Sequence, residues 1–237
     1  GRSFDDKYLV VSYGLTGRSS SSKARRFVYE EKTHTVRTDV TDAEQLKKGS
    51  PALLLYPAIA VRGASVVASN GAQTKLLYSA LRNIDKGFGT DARARMLLDE
   101  AMITPTFEYD SKDGRWIDIT TFEPDSPNNT PRISLVAFPR SACFHIVKEN
   151  EGEKQEIFYP YELRNGEGKF ISTYSGDNSN PLPSFEGEPH VVGLDGANAR
   201  ETTDAVFDSL NPSVRVAVAT VYVNEKEVQT SLRSIHD

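Results

Sequence analysis

Cysteine occurs once in the 237 residues, at Cys143. No intramolecular disulfide can form, and no cysteine-rich metal centre can be assembled. The four histidines, His34, His145, His190 and His236, are far apart and lack metal-ligand spacing, so no metal is expected. Long apolar runs are missing too. The most apolar window, Ala52 to Val61, is about half of the roughly 20 residues a membrane span needs, and it contains Pro57. No signal-peptide pattern follows Gly1-Arg2-Ser3-Phe4, which sets the expectation of a cytoplasmic protein away from membranes. An excess of positive charge is also absent. Lys plus Arg is 28 against 33 for Asp plus Glu, a net charge of −5. That speaks against a nucleic-acid-coating protein. It does not speak against a small anionic ligand, which needs only a local basic cluster.

What is there is a folded composition, 38% apolar and 26% charged. A chain of this length buries about 70–75% of its unfolded surface. There is no internal repeat, low-complexity linker or composition break, so one domain over 1–237 is expected.

The dominant pattern is β. Lys7 to Leu15, Phe27 to Glu30, Thr33 to Val40, Pro51 to Tyr56 and Ala64 to Ser69 read as strands. So do Arg115 to Phe122, Arg132 to Phe138, Phe144 to Lys148, Glu156 to Tyr159, Lys169 to Tyr174, His190 to Gly193 and Val214 to Val223. Pro51 to Tyr56 and Val214 to Val223 fit strands covered on both faces. Helices are predicted over Gln73 to Ile84, from a Thr90-Asp91 cap through Ala92, Met96, Leu97 and Ala101, over Asp42 to Lys48, and over Ala199 to Leu210. Lys148 to Gln155 reads as a solvated hairpin tip. About ten strands and three or four helices suit stacked sheets with helices outside.

Four segments can carry chemistry. The run from Gly17 to Arg26 holds Arg18, Lys23, Arg25 and Arg26 with four serines and no acid. Guanidinium forks, hydroxyls and loop amides suit a phosphate monoester, and a flexible basic loop is the equal alternative. It is not a Walker loop, because Gly-Lys-Ser/Thr is missing. Ser69 to Thr74 is a turn that leads into a helix and presents Asn70 and Gly71. Thr121 to Arg132 is a proline-stiffened loop with Glu123, Asp125, Asn129 and Arg132. Tyr174 to Pro189 is long and Pro/Gly-rich, and Leu182 and Phe185 suggest that it docks. Cys143 lies two residues from His145, yet a lone cysteine in an apolar strand is an inert core residue by default.

Taken in order, Tyr13-Gly14-Leu15-Thr16-Gly17-Arg18-Ser19, Leu55-Tyr56-Pro57-Ala58, Ser69 to Thr74, Thr121 to Ile133 and Pro181 to Pro189 resemble the archaeal-type IMP cyclohydrolase family and its bacterial IMP cyclohydrolase-like branch. The resemblance implies an α+β, four-layer αββα sandwich like the N-terminal-nucleophile hydrolases, without a processed nucleophile. It implies closure of FAICAR to IMP with loss of water, the last step of purine biosynthesis, without a cofactor. The implied ligands are purine ribonucleotides (FAICAR, AICAR, IMP), and a homo-oligomer is compatible. By the same resemblance, Arg18, Ser19 and Arg25 hold the phosphate or the developing oxyanion, with Arg26 an open alternative to Arg25. Asn70, Gly71 and Asn129 contact substrate. Tyr56 and Glu123 form a proton-transfer pair whose roles can be exchanged, and Arg132 orients Glu123 or the substrate. A noncatalytic purine-nucleotide binder and a linear-amide hydrolase on the same fold are the rivals.

Overall fold

β-Branched residues build the middle of the molecule. The computed structural model describes residues 1–83, 90–123, 128–175 and 179–237, the side chains of residues 46 and 90–92 excepted. In chain order the elements are β1 (Leu9–Thr16), α1 (Ser20–Lys23), β2 (Arg25–Glu30), β3 (Thr35–Val40), α2 (Ala43–Leu46), α3 (Pro51–Leu54), β4 (Pro57–Arg62), β5 (Ser65–Ser69), α4 (Thr74–Asn83) and α5 (Thr90–Met102). They continue with β6 (Phe107–Asp110), β7 (Arg115–Asp118), β8 (Arg132–Ala137), β9 (Ser141–Asn150), β10 (Glu153–Glu162), β11 (Glu167–Phe170), β12 (His190–Gly193), α6 (Ala199–Ser209), β13 (Arg215–Val223) and β14 (Val228–Ser234).

Seven strands form one antiparallel sheet in the order β10-β9-β8-β5-β4-β3-β2, and three form a second, β1-β13-β14. The ribbons β6-β7 and β11-β12 stand apart. Period-two alternation decides which face each side chain meets. Leu9, Val11 and Leu15 of β1 share one core with Val66, Ala68 and Leu135 of the larger sheet. The opposite face of that sheet, with Val67, Val136 and Cys143, packs on Leu77, Leu97 and Leu98 of α4 and α5. On the outer side of the smaller sheet, α6 covers β13, β14 and β1. The result is a strand-rich α+β sandwich, with helices outside two stacked sheets. β13 is buried on both faces, as its valine run predicts.

Several expectations are corrected. Pro51 to Tyr56 is not a buried strand. Pro51 opens the single helical turn α3, where its fixed φ and missing N–H do no harm, and the covered strand starts one element later, at Pro57. The buried stripe of α5 is Ala94, Leu97, Leu98 and Met102, whereas Met96 is exposed. The predicted Thr90-Asp91 cap side chains and Ile84 lie outside the described residues. Lys148 to Gln155 does form a hairpin turn, but Lys148 itself is buried on β9. There are more strands than expected, because β6 and β14 carry too little apolar alternation to be read.

Candidate functional site

One end of the seven-stranded sheet gathers the polar side chains. Arg25 begins β2 and pairs with Val40 at the end of β3. Tyr56 immediately precedes β4, and Thr38 Oγ1 accepts from its backbone N–H at 2.8 Å. The Ile59↔Ala68 register, continued outward, sets Pro57 level with Asn70 beyond the end of β5. Asn70 N–H donates to Ile133 O at 3.1 Å, so Arg132 lies at the same end of β8. One strand, β5, separates β4, which Tyr56 leads into, from β8 and Arg132, and one strand, β3, separates it from β2 and Arg25.

Each expected residue has a definite place. Arg18 and Ser19 are exposed in the turn after β1. Ser19 Oγ caps α1 by accepting from Ser22 N–H at 3.1 Å, so the serine run is a helical turn and not an extended row of hydroxyls. Gly17 is required here, since a Cβ would lie 2.8 Å from the Ser22 carbonyl carbon. Arg25 is buried and donates to Ser22 O at 3.0 Å and Thr16 O at 3.2 Å, which ties the loop down. Arg26 points the other way, to Asp39 at 3.2 Å on the exposed face. The two arginines thus lie on opposite faces of β2, Arg25 buried and Arg26 exposed.

The Asn70 amide is engaged within the fold. Its Nδ2 donates to Pro131 O at 2.8 Å and to Thr173 Oγ1 at 3.2 Å. Its Oδ1 accepts from Ile133 N–H at 2.8 Å and from Gln73 Nε2 at 3.2 Å. Asn70 therefore braces the start of β8 against the segment before Tyr174. Beside it, Arg132 is buried, donates from Nε to Thr121 O at 3.3 Å, and places Nη1 3.6 Å from Glu123 Oε2. Glu123 is buried as well, and Thr130 O accepts from its N–H at 2.8 Å. Gly71 makes room for the guanidinium: a Cβ there would come within 2.5 Å of Arg132 Nη1 and 2.6 Å of Gln73 Oε1. Asn129 adopts the left-handed conformation, with φ 46°, in the turn that returns to Thr130. Pro124 to Pro127, including Asp125, lie outside the described residues, as do Gly176 to Asn178.

The two proline-rich loops touch. The Thr130 and Tyr174 hydroxyls are hydrogen-bonded, and Asn128 Oδ1 accepts from Leu182 N–H at 3.0 Å. Phe185 is buried, as its docking role predicts, and Lys148 Nζ donates to its carbonyl at 3.3 Å.

Two features escape sequence reasoning. Gln73 is fully buried and holds the Asn70 amide, but it reads as an ordinary helix-start residue. Tyr13 places its hydroxyl 3.2 Å from that of Tyr56 across the two sheets. Burial, chiefly, with the neighbouring Tyr56 hydroxyl adding to it, holds Tyr13 well above the ordinary phenol range, and the Arg25 charge opposes this only in part. Cys143 is fully buried, and burial pushes its thiol up to about 12, so it is no ready nucleophile. Its neighbour His145 faces α5 with it and stacks on Phe158.

The α+β sandwich thus sets buried Tyr56, Glu123 and Arg132 and the engaged Asn70 toward one end of its larger sheet, beside two loops that touch. Residues 108–227, half of the chain, match the family described as IMP cyclohydrolase-like protein, and the chain belongs to that family. No curated protein matches the sequence. The matched stretch contains Glu123, Asn129 and Arg132, while Arg18, Ser19, Arg25, Tyr56, Asn70 and Gly71 precede it. No helix among the described residues is long and apolar enough to cross a membrane.

Proposed function

We propose that this protein closes FAICAR to IMP at the end of the seven-stranded sheet. The observation that carries the reading is the buried Glu123–Arg132 pair, set beside Gly71, with β5 alone between the strand of Arg132 and the strand that Tyr56 leads into. The fold, on this reading, is that of the N-terminal-nucleophile hydrolases without their processed nucleophile, and the protein works in the cytoplasm on soluble nucleotides.

The carboxamide nitrogen attacks the formyl carbon of the same molecule, so proximity is largely built into the substrate. The enzyme holds the formyl rotamer, neutralises the oxyanion and moves two protons. In the first step a C–N bond forms, Glu123 takes an amide proton and returns it to the oxyanion, and a neutral carbinolamine results. In the second step the C–OH bond breaks, Tyr56 protonates the departing hydroxyl, and water leaves. A nitrogen-bound proton passes to the restored Glu123 carboxylate as C=N forms, and that proton replaces the one Tyr56 gave. Arg132 orients Glu123. Arg18, Ser19 and Arg25 face the 5′-phosphate, Asn70 and Gly71 shape the base end, and Asn129 holds the turn above it.

A hydrolase of linear amides would need Cys143 or a serine as nucleophile, and buried Cys143 with its raised thiol is a poor one, which leaves that reading a serine. The deciding experiment is incubation of the purified protein with FAICAR, with IMP followed by absorbance or mass. IMP formation supports ring closure. Tight binding of AICAR or IMP without turnover points to a nucleotide binder instead.

A further inference from the structure

Tyr13 belongs to β1, on the face it shares with Leu9, Val11 and Leu15, between the two sheets. Its neighbours on that face are hydrocarbon. Its ring meets Phe27 of β2 edge-on, with centroids 5.7 Å apart at 89°, which fixes where the hydroxyl points. That hydroxyl lies 3.2 Å from the hydroxyl of Tyr56. Arg25, tied to Ser22 O and Thr16 O, is the charged side chain that acts on Tyr13.

Each phenol carries one hydrogen, and while both are neutral either hydroxyl can be the donor across the 3.2 Å. Once Tyr56 has given up its proton, Tyr13 is the one of the pair with a hydrogen to give, and burial together with the negative charge beside it holds that proton on Tyr13. Tyr13 O–H then donates to the Tyr56 oxygen.

We propose that Tyr13 is a positioning residue that donates a hydrogen bond to the Tyr56 oxygen once Tyr56 has given up its proton, and so suits Tyr56 to the role of proton donor, leaving Glu123 as the base. This rests on the ring-closing reading of the site. When the carbinolamine C–OH bond breaks, the Tyr56 proton goes to the departing hydroxyl and water leaves. The electron pair stays on the Tyr56 oxygen, where the Tyr13 hydrogen stabilises it until Tyr56 is reprotonated. A hydrogen bond to a charged oxygen is stronger than one to a neutral oxygen, so the support is greatest when Tyr56 has given up its proton.

Tyr13→Phe removes one oxygen atom and should leave the melting temperature close to that of the wild type. Its kcat should fall by about 10- to 100-fold, the worth of a hydrogen bond to a charged group, with KM changed by less than about threefold. In a Tyr56→Phe background, adding Tyr13→Phe should cost nothing further, because Tyr13 acts through Tyr56. Multiplying effects of the two substitutions would overturn the proposal. A second readout is independent of turnover. With tyrosine labelled at the ring carbon that bears the hydroxyl, NMR of the folded protein should show Tyr13 ionising at lower pH in Tyr56→Phe than in the wild type. An unchanged Tyr13 titration would overturn the pairing. If the wild type makes no IMP, the ring-closing reading falls, and the titration still decides whether the two hydroxyls are paired.

Discussion

Arg132 Nη1 lies 3.6 Å from Glu123 Oε2, and the absence of a side chain at residue 71 is what lets the guanidinium sit there. Gly71→Ala puts a methyl group within 2.5 Å of Arg132 Nη1 and 2.6 Å of Gln73 Oε1. Crowding of this kind costs about 1–3 kcal/mol. The expected outcome is a lower melting temperature, together with at least a tenfold loss of turnover as Arg132 leaves Glu123. Thermal melts and steady-state kinetics on the same sample check it. Wild-type kinetics in Gly71→Ala would show that the close approach is unimportant.

Arg18 is exposed in the turn after β1, so the fold should tolerate reversal of its charge. Arg18→Glu places a negative charge where the phosphate is proposed to bind. IMP affinity, measured by calorimetry, should fall by tenfold or more, with the melting temperature nearly unchanged. Equal affinity in the variant removes Arg18 from the anion site.

Cys143 is packed under α5, with Sγ 3.3 Å from Phe144 O. Cys143→Ser should retain most activity. It should lose about 1–3 kcal/mol of stability if the new hydroxyl finds no partner. An inactive but folded variant would return the cysteine to the list of nucleophiles.

Burial pushes the His145 imidazole down to about 4, against the opposing pull of Glu156, whose carboxylate is 3.6 Å away. In the unfolded chain its ordinary value is 6.5. Between these values the unfolded state binds a proton that the native state does not, so native stability falls as pH drops from about 6.5 to about 4. Below about 4 this group adds no further loss. The full effect is at most about 3 kcal/mol. Denaturant melts at pH 7 and pH 4.5 should therefore converge for His145→Phe relative to the wild type. An identical pH dependence in both proteins would contradict the account.

The sheet strands were readable because burial writes itself into alternating Val, Ile and Leu. β1 and β13 show this plainly. Pro51 misled because one residue type serves both at a helix start and at a strand edge. β14, Val-Gln-Thr-Ser-Leu-Arg-Ser, is an edge strand with half-buried side chains, so its pattern is diluted. Within the site, the two proline-rich loops stood out by composition, and their mutual contact through Asn128 and Leu182 did not. Tyr13 was invisible as a polar participant, because an aromatic residue in an apolar strand looks like core. Its partner is 43 residues away on another sheet, a distance that only the fold closes.

The central claim is that Glu123, held against Arg132, removes the proton that starts ring closure. IMP formation from FAICAR, followed side by side for the wild type and Glu123→Gln, tests it most directly. The amide keeps the size and hydrogen-bonding reach of the carboxylate and cannot accept the proton. Turnover should fall by about 10²- to 10⁴-fold, with IMP affinity little changed. A folded Glu123→Gln protein with turnover within about tenfold of the wild type, a barrier change near 1.4 kcal/mol, would contradict the account and leave Tyr56 as the principal proton-transfer residue.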